Sequence, residues 1–396
     1  MDDGTRITIE VEAFLRLAKV NNAEKCDELM TANPELVDCI DAGGYSAMHI
    51  AAAHGYQSLM TVLLKHKADK ELLNYDKNTP LMLCAKSKQP ETMNMLLDAG
   101  ADVNFTNRKG ATALSHACVM GHMDLAKQLV KRGAKIDTKP CELGSPLHWA
   151  AGSGNIDMCF WLINDLNVPI DIVDTNGGTP LLVAIHSKHS DLVQFLVERG
   201  ANVNHIVSRD QSTPLHIAAA AGTVEDVKYL LDSGANPEAK DKDGDTPLKV
   251  AEETQQKSKI TELSKPRKSD EQRKAESLHF KEQGNKVFAN GENNKASKFY
   301  SRAIALDNTN HVYFSNRSAA YFNTMQYRLA YYDAARCVQL KADWPKGYFR
   351  LAASLKALKR TEEALEACKA GLKLDPNFAD LKNCLKDLEA AVAASQ

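Results

Sequence analysis

Five side chains in the last third of this sequence, Lys281, Asn285, Asn316, Lys346 and Arg350, could together hold an anion. Lys281 and Asn285 are four residues apart, as are Lys346 and Arg350, so each pair shares one face of a helix. Two ammonium groups, a guanidinium and two amides converging on one concave surface make a receptor for a ligand with several acceptor oxygens. A lone lysine on a helix is ordinarily a solvated residue. The reading therefore rests on what brings the five together.

The positioning elements follow from a search for self-similarity, because a fixed period of about 20–50 residues decides an architecture. The strings Gly-Tyr-Ser-Ala-Met-His-Ile-Ala-Ala, Asn-Thr-Pro-Leu, Ala-Thr-Ala-Leu, Gly-Ser-Pro-Leu-His-Trp-Ala-Ala, Gly-Thr-Pro-Leu, Ser-Thr-Pro-Leu-His-Ile-Ala-Ala and Asp-Thr-Pro-Leu are versions of one motif. Its Ser or Thr falls at 46, 79, 112, 145, 179, 213 and 246, a beat of 33 or 34 residues. Gly-Ala recurs at 100–101, 133–134, 200–201 and 234–235 with the same beat. Ser/Thr caps a helix, Pro fits the first turn, where a missing N–H costs nothing, and Ala-Ala lets helices approach closely. Gly supplies the left-handed residue that stops the second helix. These residues resemble the ankyrin repeat, whose Thr-Pro-Leu-His-x-Ala signature opens the first of two short helices. Residues 11–39, two amphipathic stretches without the motif, read as the N-terminal capping unit that a stacked array needs.

The beat stops in a charge-dense stretch, 252–274, which reads as a linker or a terminal helix. A second beat follows. Gly284, Ala296, Tyr300 and Ala303 occupy places 8, 20, 24 and 27 of a 34-residue unit starting at Ser277. The next units start at His311 and Pro345, with Ala330 and Ala364 at place 20 and Pro376 closing the third. This resembles the tetratricopeptide repeat, with Ser318 and Ala352 replacing the place-8 glycine. The expected architecture is an all-α double solenoid. An ankyrin stack (1–251, a capping unit plus about seven repeats) and the 252–274 stretch precede a three-unit tetratricopeptide superhelix with a capping helix (275–396).

The first helix of each unit lines a groove, which gathers the five residues. The words around them, Phe-Lys-Glu-Gln-Gly-Asn-Lys (280–286), Ser-Asn-Arg-Ser-Ala-Ala-Tyr (315–321) and Asp-Trp-Pro-Lys-Gly-Tyr-Phe-Arg (343–350), resemble the dicarboxylate-clamp tetratricopeptide domains of co-chaperones. The resemblance implies a co-chaperone that holds the C-terminal Glu-Glu-Val-Asp tail of cytosolic heat-shock protein 90 or 70. Lys281, Asn285, Asn316, Lys346 and Arg350 fill its five clamp places. The last Asp of such a tail carries two carboxylates, a match for amide and ammonium donors. Phe288, Ala319 and Asn323, three or seven places further along the same faces, are candidates for the wall around the preceding valine.

The ankyrin stack is expected to hold a client or targeting protein, with loop-tip residues Lys77, Arg108, Glu142, Asn176, Arg209 and Asp243 on its variable surface. Rival readings are a scaffold binding an internal acidic segment, and an ankyrin-dominated regulator. Residues 1–251 carry 24 basic against 33 acidic side chains, which argues against nucleic acid there, and 275–396 carry 18 against 13.

No Gly-rich phosphate loop, Gly-x-Ser-x-Gly elbow or His-Glu-x-x-His is present, so an enzyme, a metal ligand set and a cofactor are not expected. His49, His148 and His216 occupy a place where the ring bonds neighbouring backbone, and His54, Cys84 and His116 fall at packed repeat positions. Tyr300, Tyr321 and Tyr348 read as core or groove wall. The nine cysteines (26, 39, 84, 118, 141, 159, 337, 368, 384) are scattered, odd in number and free of Cys-x-x-Cys, so they read as small core residues in a reducing compartment. No basic-plus-apolar leader and no run of about 18 apolar residues is seen. A cytosolic protein, also admissible in the nucleus and not inserted in a membrane, is the expectation.

Overall fold

A Ser or Thr oxygen starts the first helix of each 33-residue repeat. Thr79, Thr112, Thr179 and Thr246 each accept from the backbone N–H three residues on. Ser46, Ser145 and Thr213 do so reciprocally with His49, His148 and His216. A computed structural model describes residues 3–108, 110–136 and 144–393. Cys141 and the loop-tip Glu142 lie outside the described residues. The chain is all-α, and an isolated bridge between Ile40 and Ser46 is the extent of β pairing among the described residues. It divides into two compact units, residues 1–192 with 207–209, and residues 193–206 with 210–396.

In the first unit, helices Asp3–Lys19 and Ala23–Ala32 cover the first motif-bearing pair, Ala47–His54 and Gln57–Lys65. They bury Phe14, Cys26 and Met30. Further pairs follow the same plan: Pro80–Ser87 with Pro90–Asp98, Ala113–Val119 with Met123–Lys131, and Pro146–Gly152 with Ile156–Phe160. Successive first helices pack on one another, as the alanine-rich motif requires. The second helices end at left-handed residues, Gly100 (φ +83°) and Gly133 (φ +92°) among them. A periodic signal outside the motif also has a physical role. Asp41, Asn74, Asn107 and Asp174, five residues before the cap, close each turn by accepting the backbone N–H four residues on, at 2.8–3.0 Å.

The repeat histidines are struts between neighbours. His49 bonds Ser46 through Nδ1 at 2.9 Å and the Asn78 carbonyl through Nε2 at 3.1 Å. His148 does the same with Ser145 and the Gly178 carbonyl. His54, Cys84 and His116 form no common site: His54 stacks on Tyr56, Cys84 lies 3.4 Å from the Thr92 hydroxyl, and His116 meets the Asn78 side chain at 3.2 Å. Burial depresses the His116 pKa from 6.5 to about 4. Between those values the unfolded chain binds a proton that the folded chain refuses, so stability is lost as pH falls, by about 3 kcal/mol from this group once pH is below about 4. Thermal melts across pH 7 to 4 check this: His116→Gln flattens the slope, and an unchanged slope contradicts it.

In the second unit, motif-bearing pairs Pro214–Ala220 with Val224–Asp232 and Pro247–Glu253 with Lys257–Leu263 precede seven longer helices. These are Asp270–Ala289 with Asn293–Leu306, His311–Asn323 with Tyr327–Leu340, Pro345–Ala357 with Thr361–Leu374, and Ala379–Ala393. Gly284 lets the first pair close, since a Cβ there would stand 2.6 Å from the Tyr300 ring. Ser318, at the same place in the next pair, uses its hydroxyl instead, donating to the Ala330 carbonyl at 2.8 Å. Tyr313, Phe314, Ala303, Ile304 and Cys337 form a shared core.

The same unit holds a buried ionic cluster. Arg317, on helix His311–Asn323, makes two 2.7 Å bonds to Asp333 and reaches Glu198 at 2.7 and 2.8 Å. Around it Asn308 donates to the Val197 carbonyl at 2.8 Å, and Arg199 donates to the Tyr332 carbonyl. Arg273 donates to the Asp232 carbonyl at 3.2 Å. The end of the 33-residue array and the 34-residue units are therefore joined by polar bonds as well as packing.

Candidate functional site

Three helices carry the candidate residues. Ser269 caps the first, with its hydroxyl accepting from the Gln272 N–H at 3.2 Å and the Gln272 side chain returning the bond. That helix presents Lys281, Asn285 and Phe288. Asn310 caps the second, which presents Asn316, Ala319 and Asn323, and Pro345 opens the third, which presents Lys346 and Arg350. Each of these first helices packs on the next.

The fold brings Asn285 and Asn316 together. The Asn285 Oδ1 accepts from Asn316 Nδ2 at 3.1 Å and from the Tyr300 hydroxyl at 2.9 Å. Asn285 thus uses its oxygen twice, and its own N–H donors take no part in these bonds. Burial pushes the Tyr300 pKa up to about 12, so the phenol stays a neutral donor. Tyr300 thus holds the Asn285 amide as well as filling the core, a contact that a repeat position does not reveal.

The three cations are held differently. Lys281 is half-buried and Lys346 exposed, and neither forms an ion pair among the described residues. Arg350 lies over the Phe349 ring at 5.6 Å, and its Nε is buried without a hydrogen-bond partner. Burial depresses its pKa, offset in part by Asp380. An unpaired, desolvated guanidinium is costly by itself and gains from an incoming carboxylate. Among the described residues, no hydrogen bond links Lys281, Lys346 or Arg350 to the amide pair.

Of the candidate wall residues, Ala319 is buried, and Phe288 packs on Ala296, Tyr300 and Ala320. Asn323 is exposed and donates to Asn293 at 3.2 Å. The structure adds a mostly apolar pocket of about 530 Å³ whose lining includes Phe322, Phe349, Ala353, Lys356, Cys384 and Asp387. Its aromatic walls, Phe322 and Phe349, are 27 residues apart in sequence on different helices, and only stacking of the units makes them neighbours.

At the loop tips Arg108, Asn176, Arg209 and Asp243 are exposed, and Lys77 is half-buried in a left-handed turn. Tyr75, two residues before Lys77, is 61% exposed. Among the described residues, no group of three His, Cys, Asp or Glu side chains could hold a metal ion, and no helix is long and apolar enough to cross a membrane.

The family model described as ankyrin repeats (3 copies) matches residues 14–107, 100–174, 147–241 and 205–272, and that described as tetratricopeptide repeat matches 345–378. A human structure, the ASB11 ankyrin repeat domain, aligns at 31% identity and a TM-score of 0.49, covering 57% of this chain and 100% of that one. The tetratricopeptide part is similar to the Hsp70-Hsp90 organizing protein of Triticum aestivum, 44% identical over 29% of this chain and 20% of that protein. It is also similar to the STIP1 homolog of Dictyostelium discoideum (40% identity, 30% and 21%). Serine/threonine-protein phosphatase 5 of Rattus norvegicus is 41% identical over 28% of this chain and 22% of its own length, in the tetratricopeptide part alone. The chain spans about a fifth of each of these curated relatives.

Proposed function

The chain belongs to the ankyrin-repeat family, and from that premise we propose that it is a protein–protein adaptor whose tetratricopeptide groove holds the free C-terminal tail of a cytosolic chaperone. The ligand is a Glu-Glu-Val-Asp tail of the heat-shock protein 90 or 70 type. The observation that supports the reading is the Asn285–Asn316 amide bridge, together with Lys281, Lys346 and Arg350 on the same set of first helices and in no ion pair among the described residues. Donors held ready for two carboxylates suit the last residue of such a tail. Similarity to Hsp70-Hsp90 organizing proteins in this part supports the same ligand.

The ankyrin repeats would hold a second protein, raising the effective concentration of client and chaperone for one another in the cytosol. An internal acidic segment is the competing ligand. Displacement of a labelled Met-Glu-Glu-Val-Asp peptide from the full chain separates the two. The unlabelled tail competes, and the same tail extended by Gly-Ser-Gly does not; equal competition by both would favour the acidic-segment scaffold.

A further inference from the structure

The acidic side chains of the ankyrin part are unevenly placed. Residues 1–251 carry 33 of them, yet the stretches that run from a loop tip through a first helix, 77–90, 108–123, 144–156 and 175–190, contain six Lys or Arg and no Asp or Glu. Successive first helices pack on one another, and the turns before them are joined in the same order. The Gly43 carbonyl accepts from the Tyr75 N–H at 3.2 Å, and the Asn107 side chain donates to that of Asn78 at 3.3 Å. These stretches form one face of the first unit. On it Lys86, Lys88, Arg108 and Lys188 are exposed and Lys77 is half-buried, and none of the five is in an ion pair among the described residues. Asp76, next to Lys77, is the acid at its edge.

Three of these lysines occupy backbone that neighbouring repeats give to glycine. Lys77 (φ +63°) stands at the place of Gly44, Gly110 and Gly177, and Lys88 (φ +57°) and Lys188 (φ +59°) stand at the place of Gly55, Gly121 and Gly154. A left-handed φ disfavours any residue with a Cβ, so folding alone would select glycine at all three. Lys86 adds to burial in holding the His116 pKa down, the sign of a positive field on this face. Apolar side chains are interleaved with the cations. Tyr75 is 61% and Met120 49% exposed, and Trp149 and Val183 are half-buried.

We propose that this face holds a short acidic segment of a partner protein, with apolar side chains of the segment seated among Tyr75, Met120 and Trp149. The inference rests on the reading that the ankyrin repeats bind a second protein, and it adds the chemistry of that partner. Cations without carboxylate partners on their own chain attract Asp and Glu of another by charge complementarity. Acidic residues resume in the first turn of the second helices, at Glu91, Asp124, Asp157 and Asp191, where they suit the helix dipole and bound the basic face. A long polyanion such as nucleic acid would run into them, and a short segment would not.

Binding of fluorescein-labelled Glu-Asp-Phe-Glu-Glu-Leu-Asp-Glu, amidated at its C-terminus, to the full chain tests this, with excess unlabelled Met-Glu-Glu-Val-Asp present to occupy the tetratricopeptide groove. The expected result is saturable binding that weakens as salt rises. Lys77→Gly, Lys88→Gly and Lys188→Gly together lower the affinity by about tenfold or more, because three charge contacts are lost. The melting temperature of that variant is unchanged or raised, because glycine suits the left-handed backbone. Lys86→Glu, at an exposed helical place, lowers the affinity as well. No saturable binding, equal binding of the Gln-Asn-Phe-Gln-Gln-Leu-Asn-Gln peptide, unchanged affinity in the variants, affinity lost in step with a falling melting temperature, or tighter binding of oligouridylate overturns the proposal. Tail-peptide binding, measured separately on the triple variant, stays at its wild-type value, so failure here is distinct from failure of the tetratricopeptide reading.

Discussion

Arg317→Leu destabilises the protein by about 3–5 kcal/mol, the range for removing one member of a buried ionic cluster. Arg317 is 6% exposed at its side chain, Asp333 4% and Glu198 12%, so the two carboxylates left behind have little water to turn to. Burial alone would depress the Arg317 pKa, but Asp333 and Glu198 together raise it, which keeps the guanidinium charged. Its Nη1 also donates to the Ser301 hydroxyl at 2.9 Å. Arg317→Lys keeps the charge, loses the fork of bonds and falls between. Replacing Arg317 and Asp333 together by leucine recovers part of the loss, because one stranded carboxylate is removed with its partner. Urea denaturation checks the series. A loss below about 1 kcal/mol for Arg317→Leu, the scale of exposed pairs, contradicts the account.

Lys346→Ala with Arg350→Ala abolishes peptide binding without unfolding the protein. A hydrogen bond to a charged group contributes about 1.5–3 kcal/mol, so two lost donors weaken a tail peptide by about 100-fold or more. Stability moves the other way or not at all. Lys346 is exposed without an ion pair, and Arg350 holds a desolvated charge with an unpaired Nε, so trimming it relieves a cost. Arg350→Met, which keeps an apolar stem of similar length and removes the guanidinium, isolates the point: melting temperature equal or higher, affinity lower. Affinity unchanged in the double variant, or lost in step with a falling melting temperature, contradicts the assignment.

The helices were legible because their start signals are local. Thr79-Pro80-Leu81 contains a cap, a first-turn proline and a buried apolar residue within three positions, and the beat repeats it. The candidate donors rest on a related rule: residues four apart share a helix face, and the first helices of stacked units line one groove. What could not be read are the contacts that join distant helices. Glu198 and Arg317 are 119 residues apart, and nothing in either repeat word marks them as partners. The Tyr300 bond to Asn285 joins different helices, and it depends on how closely Gly284 lets those helices approach. Sequence period supplies orientation, and backbone approach distances supply the pairs.

The Arg317 cluster bears on how the groove is tested, because Glu198 lies outside any 275–396 fragment. Calorimetric titration of the full chain with Met-Glu-Glu-Val-Asp, as the free acid and as the C-terminal amide, addresses the central claim directly. Amidation removes the α-carboxylate and leaves every side chain in place. The account predicts binding of the free acid and a loss of about tenfold or more for the amide, since at least one charge-assisted bond disappears. Equal affinity for the two peptides, or no binding of either, would contradict a groove built around Asn285, Asn316, Lys281, Lys346 and Arg350 to hold a chain terminus.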